Sequence, residues 1–360
     1  MTESRELAAS RRATILRALH RRGTVRVSEL SATLGVAAVT LRRDIAHLAD
    51  EGLLRRVHGG ATLHDHDAVP VTQPSDTGYA GMLVPSLSYY WPEVIRGAEE
   101  EAANHGLRVR FRGSSYESTD DRPQLERLLA TEDVRGLVVA PNMDAPTAGA
   151  TVAWLAGVDV PVVLVERAAT GPQRSVLESV ATDHALGAAM AVDHLTELGH
   201  RRIAVATSAQ SPTSWRVRQG WREAIPVPDM LDVPLPSPGT AGWDTAAAEL
   251  LDGLRATSAT AVLVHADAEA IALVQYLERH DVRVPADLSV VAYDDEVAGL
   301  FTPRLTAVRP PRRAIGRAAL SLLAARLAEP DRPPHRVLIS PTLNVRESTT
   351  SASQPAPVDR

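Results

Sequence analysis

From Tyr79 onward, short apolar runs rich in β-branched residues alternate with longer stretches in which apolar residues recur every three to four positions. The short runs predict buried strands, and the longer period predicts amphipathic helices such as Glu93–His105, Ala185–Leu198 and Ala268–His280. Strand–helix alternation is typical of parallel sheets with helices on both faces. About 270 residues are too many for one sheet, so we expect two similar α/β lobes. The expected strands are Gly81–Val84, Leu107–Phe111, Leu137–Ala140, Val160–Val165, Arg202–Ala206, Ala261–Val264 and Leu288–Ala292.

The first 63 residues have a different pattern, that of three short helices followed by a hairpin. We expect the first helix at Glu3–His20 and the third at Ala38–Asp50. Ser28 is a suitable N-cap for the second helix. After the third helix, an arginine pair precedes Gly59 and Gly60, which allow a sharp backbone turn. The pattern predicts a small helical head that ends in a basic hairpin.

Residues 64–78 (HDHDAVPVTQPSDTG) contain two prolines and several acids and have no periodicity, which is typical of a linker. The His-Asp-His-Asp run at its start could bind a metal. Consecutive ligands in a flexible segment do not preorganise a site, however, so we expect a solvated linker without metal. The Ser- and Pro-rich residues 350–360 are expected to form a disordered tail.

Composition excludes several classes of chemistry. The chain has no cysteine, so disulfides, thiolate chemistry and cysteine-ligated zinc are excluded. No apolar run approaches a membrane span, and residues 1–20 lack the apolar centre of a secretory signal, so we expect a soluble cytoplasmic protein with no membrane partner. No glycine-rich phosphate-binding fingerprint follows any predicted strand. We therefore expect no cofactor.

Charge is distributed unevenly along the chain. All 38 basic residues are arginine, and residues 1–63 hold 11 of them against 6 Asp plus Glu, a formal charge of +5. The whole chain carries −6, which leaves −11 for the remainder. A basic head on an acidic body indicates a polyanion as the partner of the head, with ordinary scatter of charge as the alternative.

The third predicted helix has two distinct faces. At about 100° per residue, Leu41 and Ile45 fall on one apolar face, whereas Thr40, Arg43 and His47 point away from it. Arginine on an outward face can bond guanine in a major groove, and a flanking arginine is better placed for phosphate. A solvated helix and hairpin are the alternative, but the combination favours a winged helix-turn-helix. The residues expected at DNA are Thr40, Arg42, Arg43, His47, Arg55, Arg56, His58, Gly59 and Gly60.

The stretch GTVRVSELSATLGVAAVTLRRDIAHLADEGLLRRVHGGA, residues 23–61, closely resembles the DNA-binding head of DeoR-type bacterial transcription regulators. The resemblance implies that the third helix reads an operator and that the wing contacts the DNA backbone. Ala37 stands where that family usually has a serine at the start of the helix. Losing such a cap costs about 1 kcal/mol, which weakens the helix end without changing its role.

The body resembles a different family. HLTELGHRRIAVAT (194–207), VRVPADLSVVAYDDEVAGLFTPRLTAVRPP (282–311) and LISPTLNVREST (338–349) resemble the effector-binding core of LacI-type regulators, which is similar to periplasmic sugar-binding proteins. The resemblance implies a bilobed core of two doubly wound parallel sheets at residues 79–349. Lobe 1 is expected at 79–181 and 310–335, and lobe 2 at 182–309 and 336–349. Residues 64–78 do not match the hinge helix of LacI-type proteins.

Ligands of open α/β sheets bind beyond the carboxyl ends of the strands, where sugars favour aromatic faces and polar groups. Three of the 13 aromatic residues follow the first predicted strand, although a surface loop or dimer patch would also explain them. The resemblance adds acids after later strands, with Ala266 in place of a family asparagine. Val217 stands in place of a family arginine, so a neighbouring arginine is expected to serve. For an isolated Asp, a helix-cap or surface role stays open. The candidate ligand residues are Tyr89, Tyr90, Trp91, Ser115, Asn142, Glu166, Arg216, Arg218, Asp267 and Asp294.

Together these features predict a homodimeric transcription repressor that binds inverted-repeat operator DNA under the control of a small effector, a sugar or sugar derivative. One alternative is a sugar-modifying enzyme with an accessory DNA-binding head. The chain has no G-x-S-x-G elbow and no H-E-x-x-H motif, so we do not expect an enzyme. The other alternative is an architectural DNA-binding dimer without a sensor.

Overall fold

The computed structural model describes residues 24–34, 36, 38–50, 55–57, 60–62, 78–169 and 176–352. The chain divides into two compact units, Met1–Pro74 and Ser75–Arg360. The predicted first helix, Glu3–His20, lies outside the described residues, as do residues 64–77 of the predicted linker and residues 353–360 of the predicted tail.

The first unit contains the predicted helix pair and hairpin. Strands β2 (Arg55–Val57) and β3 (Gly60–Thr62) form the hairpin, and β1 (Thr24–Arg26), which the sequence pattern did not predict, pairs antiparallel with β3. Helix α1 is Val27–Leu34 and α2 is Ala38–Asp50. Helix α1 begins before Ser28, so the prediction of Ser28 as its N-cap is wrong: β1 leads directly into the helix.

Helix α2 buries the apolar face predicted for it. Leu41, Ile45 and Leu48 are buried, as is Leu30 of α1, whereas Arg43 is exposed. Burying one apolar stripe leaves the opposite face of the helix open to a partner.

The second unit begins with a six-stranded sheet, in the order β14-β8-β7-β6-β4-β5 among the described residues, and all neighbouring strands are parallel. Helices α3 and α10 pack on one face and α4 and α5 lie beside the other apolar cluster, so both faces are buried. This is lobe 1. Its elements are β4 (Tyr79–Val84), α3 (Trp91–Asn104), β5 (Arg108–Gly113), α4 (Arg122–Leu129), β6 (Val134–Val139), α5 (Ala148–Leu155), β7 (Val162–Val165), β8 (Glu178–Thr182), α10 (Arg312–Ala328) and β14 (Arg336–Ile339).

Lobe 2 is built around a second six-stranded sheet with the order β10-β9-β11-β12-β13-β15 in the described part of the chain. The neighbouring strands are parallel except β15, which is antiparallel to β13. Its elements are α6 (His184–Glu197), β9 (Ile203–Ser208), α7 (Ser214–Ala224), β10 (Asp232–Leu235), α8 (Trp243–Ala256), β11 (Ala261–His265), α9 (Asp267–Arg279), β12 (Ser289–Tyr293), β13 (Thr306–Arg309) and β15 (Thr342–Asn344). The predicted bilobed, parallel α/β fold is therefore confirmed.

The chain crosses between the lobes after β8, after β13 and between β14 and β15. The prediction that residues 336–349 belong wholly to lobe 2 is wrong, because β14 pairs with β8 in lobe 1 and Leu338 lies opposite Ala181. The tail boundary also moves. Ala352 donates its backbone N–H to the Leu198 carbonyl at 2.9 Å, so residues 350–352 are held against lobe 2 rather than starting a tail.

Helices α3 and α10 approach closely through two glycines. A Cβ at Gly316 would lie 1.9 Å from the Val94 carbonyl oxygen, and one at Gly97 would lie 2.0 Å from the Arg313 carbonyl oxygen. A side chain at either position would force the helices apart, so this contact fixes how α10, the return crossing into lobe 1, docks on α3. Among the described residues, no helix is long and apolar enough to cross a membrane.

Candidate functional site: a cleft between the two lobes

A cleft of about 340 Å³ lies between the lobes of the second unit, at the carboxyl ends of their strands. This volume is in the range of small-molecule sites. Five of the predicted ligand residues line it: Tyr89, Tyr90, Trp91, Glu166 and Asp294. The other lining residues are Tyr116, Arg167, His184, Ser208, Gln210, Ser211, Pro212, Thr213, Ser237, His265, Ala266, Ala268 and Glu269.

Glu166 forms the floor on the lobe 1 side, directly after β7. Its carboxylate accepts a hydrogen bond from the Tyr90 hydroxyl at 2.5 Å, and from the hydroxyl and backbone N–H of Thr182 at 2.7 and 3.1 Å. Burial alone would raise the pKa of Glu166, but the neighbouring His184 and the hydrogen bonds from Tyr90 and Thr182 outweigh it and hold the pKa at about 2. The negative charge of Glu166 is therefore already stabilised by neighbouring groups of the protein.

His184 joins this floor to lobe 2. Its Nδ1 lies 3.1 Å from the Tyr293 hydroxyl, and its buried Nε2 lies 3.4 Å from Glu166 Oε2. Nε2 has no hydrogen-bond partner in the described chain. A buried polar atom without a partner at the edge of a cleft can accept or donate to a ligand.

An aromatic wall covers the rest of lobe 1. It consists of Tyr89, Tyr90, Trp91 and Tyr116, and the Trp91 indole N–H donates to the Tyr116 hydroxyl at 2.9 Å. Arg167 also lines the cleft, and its guanidinium lies 5.9 Å from the Trp91 ring. It donates to the carbonyls of Glu166 and Pro141, at 2.7 and 3.1 Å, so much of its hydrogen-bonding capacity is used by the backbone.

The wall from lobe 2 is richer in hydroxyl groups and carries a neutral histidine. His265 ends β11, and its Nδ1 lies 3.2 Å from the Ser214 hydroxyl. Burial, with a smaller contribution from the charge of His184, lowers the pKa of His265 to about 3. The imidazole is therefore uncharged near neutral pH, and Ser208, Ser211 and Thr213 surround it with hydroxyl groups.

Asp294 lies at the cleft end of a strained acidic turn on lobe 2. It follows β12 with φ at 90°, in the left-handed region that only a few non-glycine residues adopt. Its carboxylate receives a long hydrogen bond of 3.4 Å from Tyr89 across the cleft. Burial, together with the charge of Asp267, raises the pKa of Asp294 to about 8, although Arg312 acts in the opposite direction. Its negative charge is thus costly unless a cation arrives.

Arg312 ties the lobes together beneath the cleft. It starts α10 in lobe 1, donates to the Asp294 carbonyl at 2.5 Å and has its Nε 2.8 Å from Glu296 Oε1 in lobe 2. Glu296 Oε1 has no hydrogen-bond partner among the described residues, so the second contact is an ion pair. Arg312 is 7% exposed, and its guanidinium lies 5.5 Å from the Tyr90 ring.

Three predicted ligand residues are used within the fold instead. Asp267 is fully buried and accepts backbone N–H bonds from residues 295–298 at 2.7–3.2 Å. Asn142 donates to the carbonyls of Tyr116 and Ser118, and the Ser115 hydroxyl accepts the N–H of Glu117. These contacts shape the loops around the cleft without lining it.

Neither arginine beside Val217 reaches the cleft. Arg218 pairs with Asp232 at 2.7 Å, and the guanidinium of Arg216 lies 4.4 Å from the Trp215 ring. Val217 itself is fully buried in the lobe 2 core. Successive residues on a helix point about 100° apart. Because Val217 points into the core, the side chains of Arg216 and Arg218 point to either side of it.

Several lining residues were not predicted from the sequence. Ser208 and His265 are the last residues of β9 and β11, so the rule that ligands bind at strand ends could have found them. His184 follows β8, a strand that was missed. Tyr116 lies in the loop after β5 and enters the cleft through its contact with Trp91.

In the first unit, the residues predicted to contact DNA lie on α2 and the hairpin. Arg43 is exposed and Thr40 is half-buried, and Arg42 and His47 are also on α2. Arg55 and Arg56 are on β2 and Gly60 begins β3. His58 and Gly59 lie outside the described residues.

Comparison with known proteins agrees with this division. Residues 192–349 match the model of a periplasmic binding protein-like domain, and residues 11–67 match a DeoR-like helix-turn-helix domain. The HTH-type transcriptional repressor PurR of Vibrio cholerae serotype O1 (strain M66-2) is 30% identical over 258 residues, which cover 69% of this chain and 74% of the relative.

The ribose operon repressor of Escherichia coli K12 is 26% identical over 282 residues, 76% of this chain and 83% of the relative. The fold is also similar to that of a LacI family transcriptional regulator from Enterococcus faecium with bound ribose. That structure has a TM-score of 0.61 and 22% identity, and the match covers 76% of this chain and 100% of that one. The chain therefore belongs to the LacI-type family of transcription repressors, with a DeoR-like helix-turn-helix at its N-terminus.

Proposed function

We propose that this protein represses transcription as a homodimer, and that a small polyhydroxylated ligand in the interlobe cleft controls its affinity for operator DNA. The observation that carries the proposal is the cleft itself, in which the carboxyl ends of two parallel sheets face each other. Tyr89 and Asp294 meet across it, and Arg312 bridges the lobes below it. A ligand bound there contacts both lobes and so favours one interlobe angle over others.

The chemistry of the cleft supports a polyhydroxylated effector. Aromatic rings on lobe 1 suit the C–H faces of a sugar, and the hydroxyl groups of lobe 2 suit its hydroxyls. The relatives point the same way: one is a ribose operon repressor and another an arabinose metabolism repressor. The proposal concerns the ligand class, not either of those sugars.

DNA recognition is assigned to the first unit. Arg43, exposed on α2, is proposed to reach base edges in a major groove, with Arg55 and Arg56 of the hairpin at phosphates. A homodimer supplies two such heads to an inverted repeat, because two-fold protein symmetry calls for two half-sites.

The test is a fluorescence-anisotropy titration of the full-length protein against duplex DNA from its own promoter region. We expect specific binding that weakens steeply with salt, and Arg43→Ala should weaken it by about 1–3 kcal/mol. Arg283→Ala is the matched control, because Arg283 is an exposed arginine of lobe 2 that pairs only with Asp287 among the described residues. Salt-insensitive binding, or equal effects of the two substitutions, would contradict the proposal.

A further inference from the structure

The charged groups that line the cleft are unbalanced. On the lobe 2 side they are two carboxylates, Asp294 and Glu269, and His265 is neutral there. Within the described residues, no arginine of lobe 2 lines the cleft, since Arg216 and Arg218 lie against other partners. Among the described residues, that wall therefore carries two acidic side chains and no cation of its own that faces the ligand space.

The carboxylates of Glu269 and Asp294 differ in the hydrogen bonds that they accept. Glu269 accepts the backbone N–H of Ala266 at 3.2 Å. Asp294 is only 8% exposed, yet among the described residues its carboxylate accepts a single long hydrogen bond, from Tyr89 at 3.4 Å. Arg312 is the nearest bridging cation, but its guanidinium is directed to the Asp294 carbonyl and to Glu296. A buried carboxylate in this state is stabilised by any cation that can reach it.

The cation on the lobe 1 side does not supply this need. Arg167 lines the cleft, but it donates to two backbone carbonyls, and its guanidinium lies 5.9 Å from the Trp91 ring. Glu166, the acid nearest to it in sequence, is already saturated by Tyr90 and Thr182. The space beside Asp294 is instead bounded by the aromatic wall, and the faces of Tyr and Trp rings attract cations within about 6 Å.

We infer that the effector is a polyhydroxylated amine, an amino sugar or a close relative, whose protonated nitrogen lies between Asp294 and the aromatic wall of lobe 1. The protonated nitrogen of the ligand is then the cation that contacts the Asp294 carboxylate. The hydroxyl groups of the same ligand bond the Ser and Thr side chains of lobe 2. Phosphorylated and acidic sugars fit this place less well, because they bring no cation to Asp294 and add a negative charge beside Glu269. The inference rests on the proposed function, since it names the ligand of the same cleft.

The test is isothermal titration calorimetry of the full-length protein near neutral pH with matched ligands. The probes are D-glucosamine against D-glucose and N-acetyl-D-glucosamine, and the β-1,4-linked glucosamine disaccharide against cellobiose. We expect at least one amine to bind about tenfold or more tighter than its neutral counterparts, the effect of one charge-assisted contact. The inference is wrong if the neutral counterparts bind as well or better, or if no amine binds.

Substitution identifies the group responsible. Asp294→Asn should remove the preference for the amine, whereas Asp252→Asn, the same change at an 81% exposed side chain on α8, should keep it. If Asp294→Asn does not fold, the comparison of ligands on the wild-type protein still decides. Promoter DNA added to the calorimetric samples separates the two proposals. If only a neutral sugar releases the DNA, the effector is not an amine, but the proposed ligand-controlled regulation stands. If an amine binds tightly and leaves DNA binding unchanged, the amine assignment stands and the proposed regulation is wrong.

Discussion

Replacing Arg312 by methionine tests whether this residue holds the two lobes together. Methionine keeps most of the buried volume but leaves Glu296 and the Asp294 carbonyl without the cation that now lies 2.8 and 2.5 Å away. Breaking a buried ion pair costs about 3–5 kcal/mol. The Glu296 side chain is 21% exposed, so water offsets part of that cost, and we expect a loss of about 2–3 kcal/mol in the free energy of unfolding.

Urea unfolding followed by tryptophan fluorescence measures this loss directly, because all five tryptophans of the chain lie in the second unit. The matched control is Arg313→Met, one residue along the same helix. The Arg313 side chain is 48% exposed and pairs with Glu100 at the surface, so its loss should cost about 0–1 kcal/mol. If Arg312→Met costs no more than Arg313→Met, Arg312 does not hold the lobes.

Two further predictions concern packing and pH. Gly316→Ala should destabilise the protein by about 3 kcal/mol or more, because its Cβ would lie 1.9 Å from the Val94 carbonyl. Gly149→Ala on α5, with no atom within 4 Å, should instead stabilise it by about 0.5–1 kcal/mol in the same assay, and reversed signs would refute the packing argument. Because the pKa of Asp294 is raised from 3.8 to about 8, the folded state keeps a proton that the unfolded state loses, so stability falls as pH rises through that window. Asp294→Asn should remove this part of the pH dependence in unfolding curves measured across the window, and an unchanged slope would refute it.

Most strands that the sequence predicted are apolar runs, such as β6, β7 and β11, whereas β8 and β10 contain polar residues or proline and were missed. Strand β8 was missed because it starts with Glu178, a residue that reads as exposed. In the fold Glu178 is buried and pairs with Arg326 and Arg332, at 3.3 and 2.5 Å, which lie about 150 positions away. Strand β10 contains a proline, which argues against a strand except at an edge, and β10 is an edge strand. Both cases depend on tertiary partners that a local pattern does not contain.

The residues of the candidate site could likewise be predicted from the sequence only in part. Tyr89, Tyr90 and Trp91 could be predicted because they cluster after the first strand of lobe 1. Asp267 satisfies the same strand-end rule, yet it is a buried acceptor for the backbone of residues 295–298, and nothing in its sequence position separates this role from ligand contact. His184 lies beside Glu166 because β7 and the unpredicted strand β8 are neighbours in the sheet, so the residues after them meet at the same edge.

In the proposed mechanism, ligand binding in the interlobe cleft and DNA binding by the first unit are thermodynamically coupled. The most direct test titrates a cleft ligand into the full-length protein bound to labelled promoter DNA and compares the DNA affinity with and without saturating ligand. We expect saturating ligand to change the affinity for promoter DNA by about 5- to 150-fold, the usual range for allosteric coupling. Reciprocity requires the same factor in ligand affinity when DNA is added first. A ligand that saturates the cleft, by calorimetry on the same sample, and leaves the DNA affinity unchanged would contradict it.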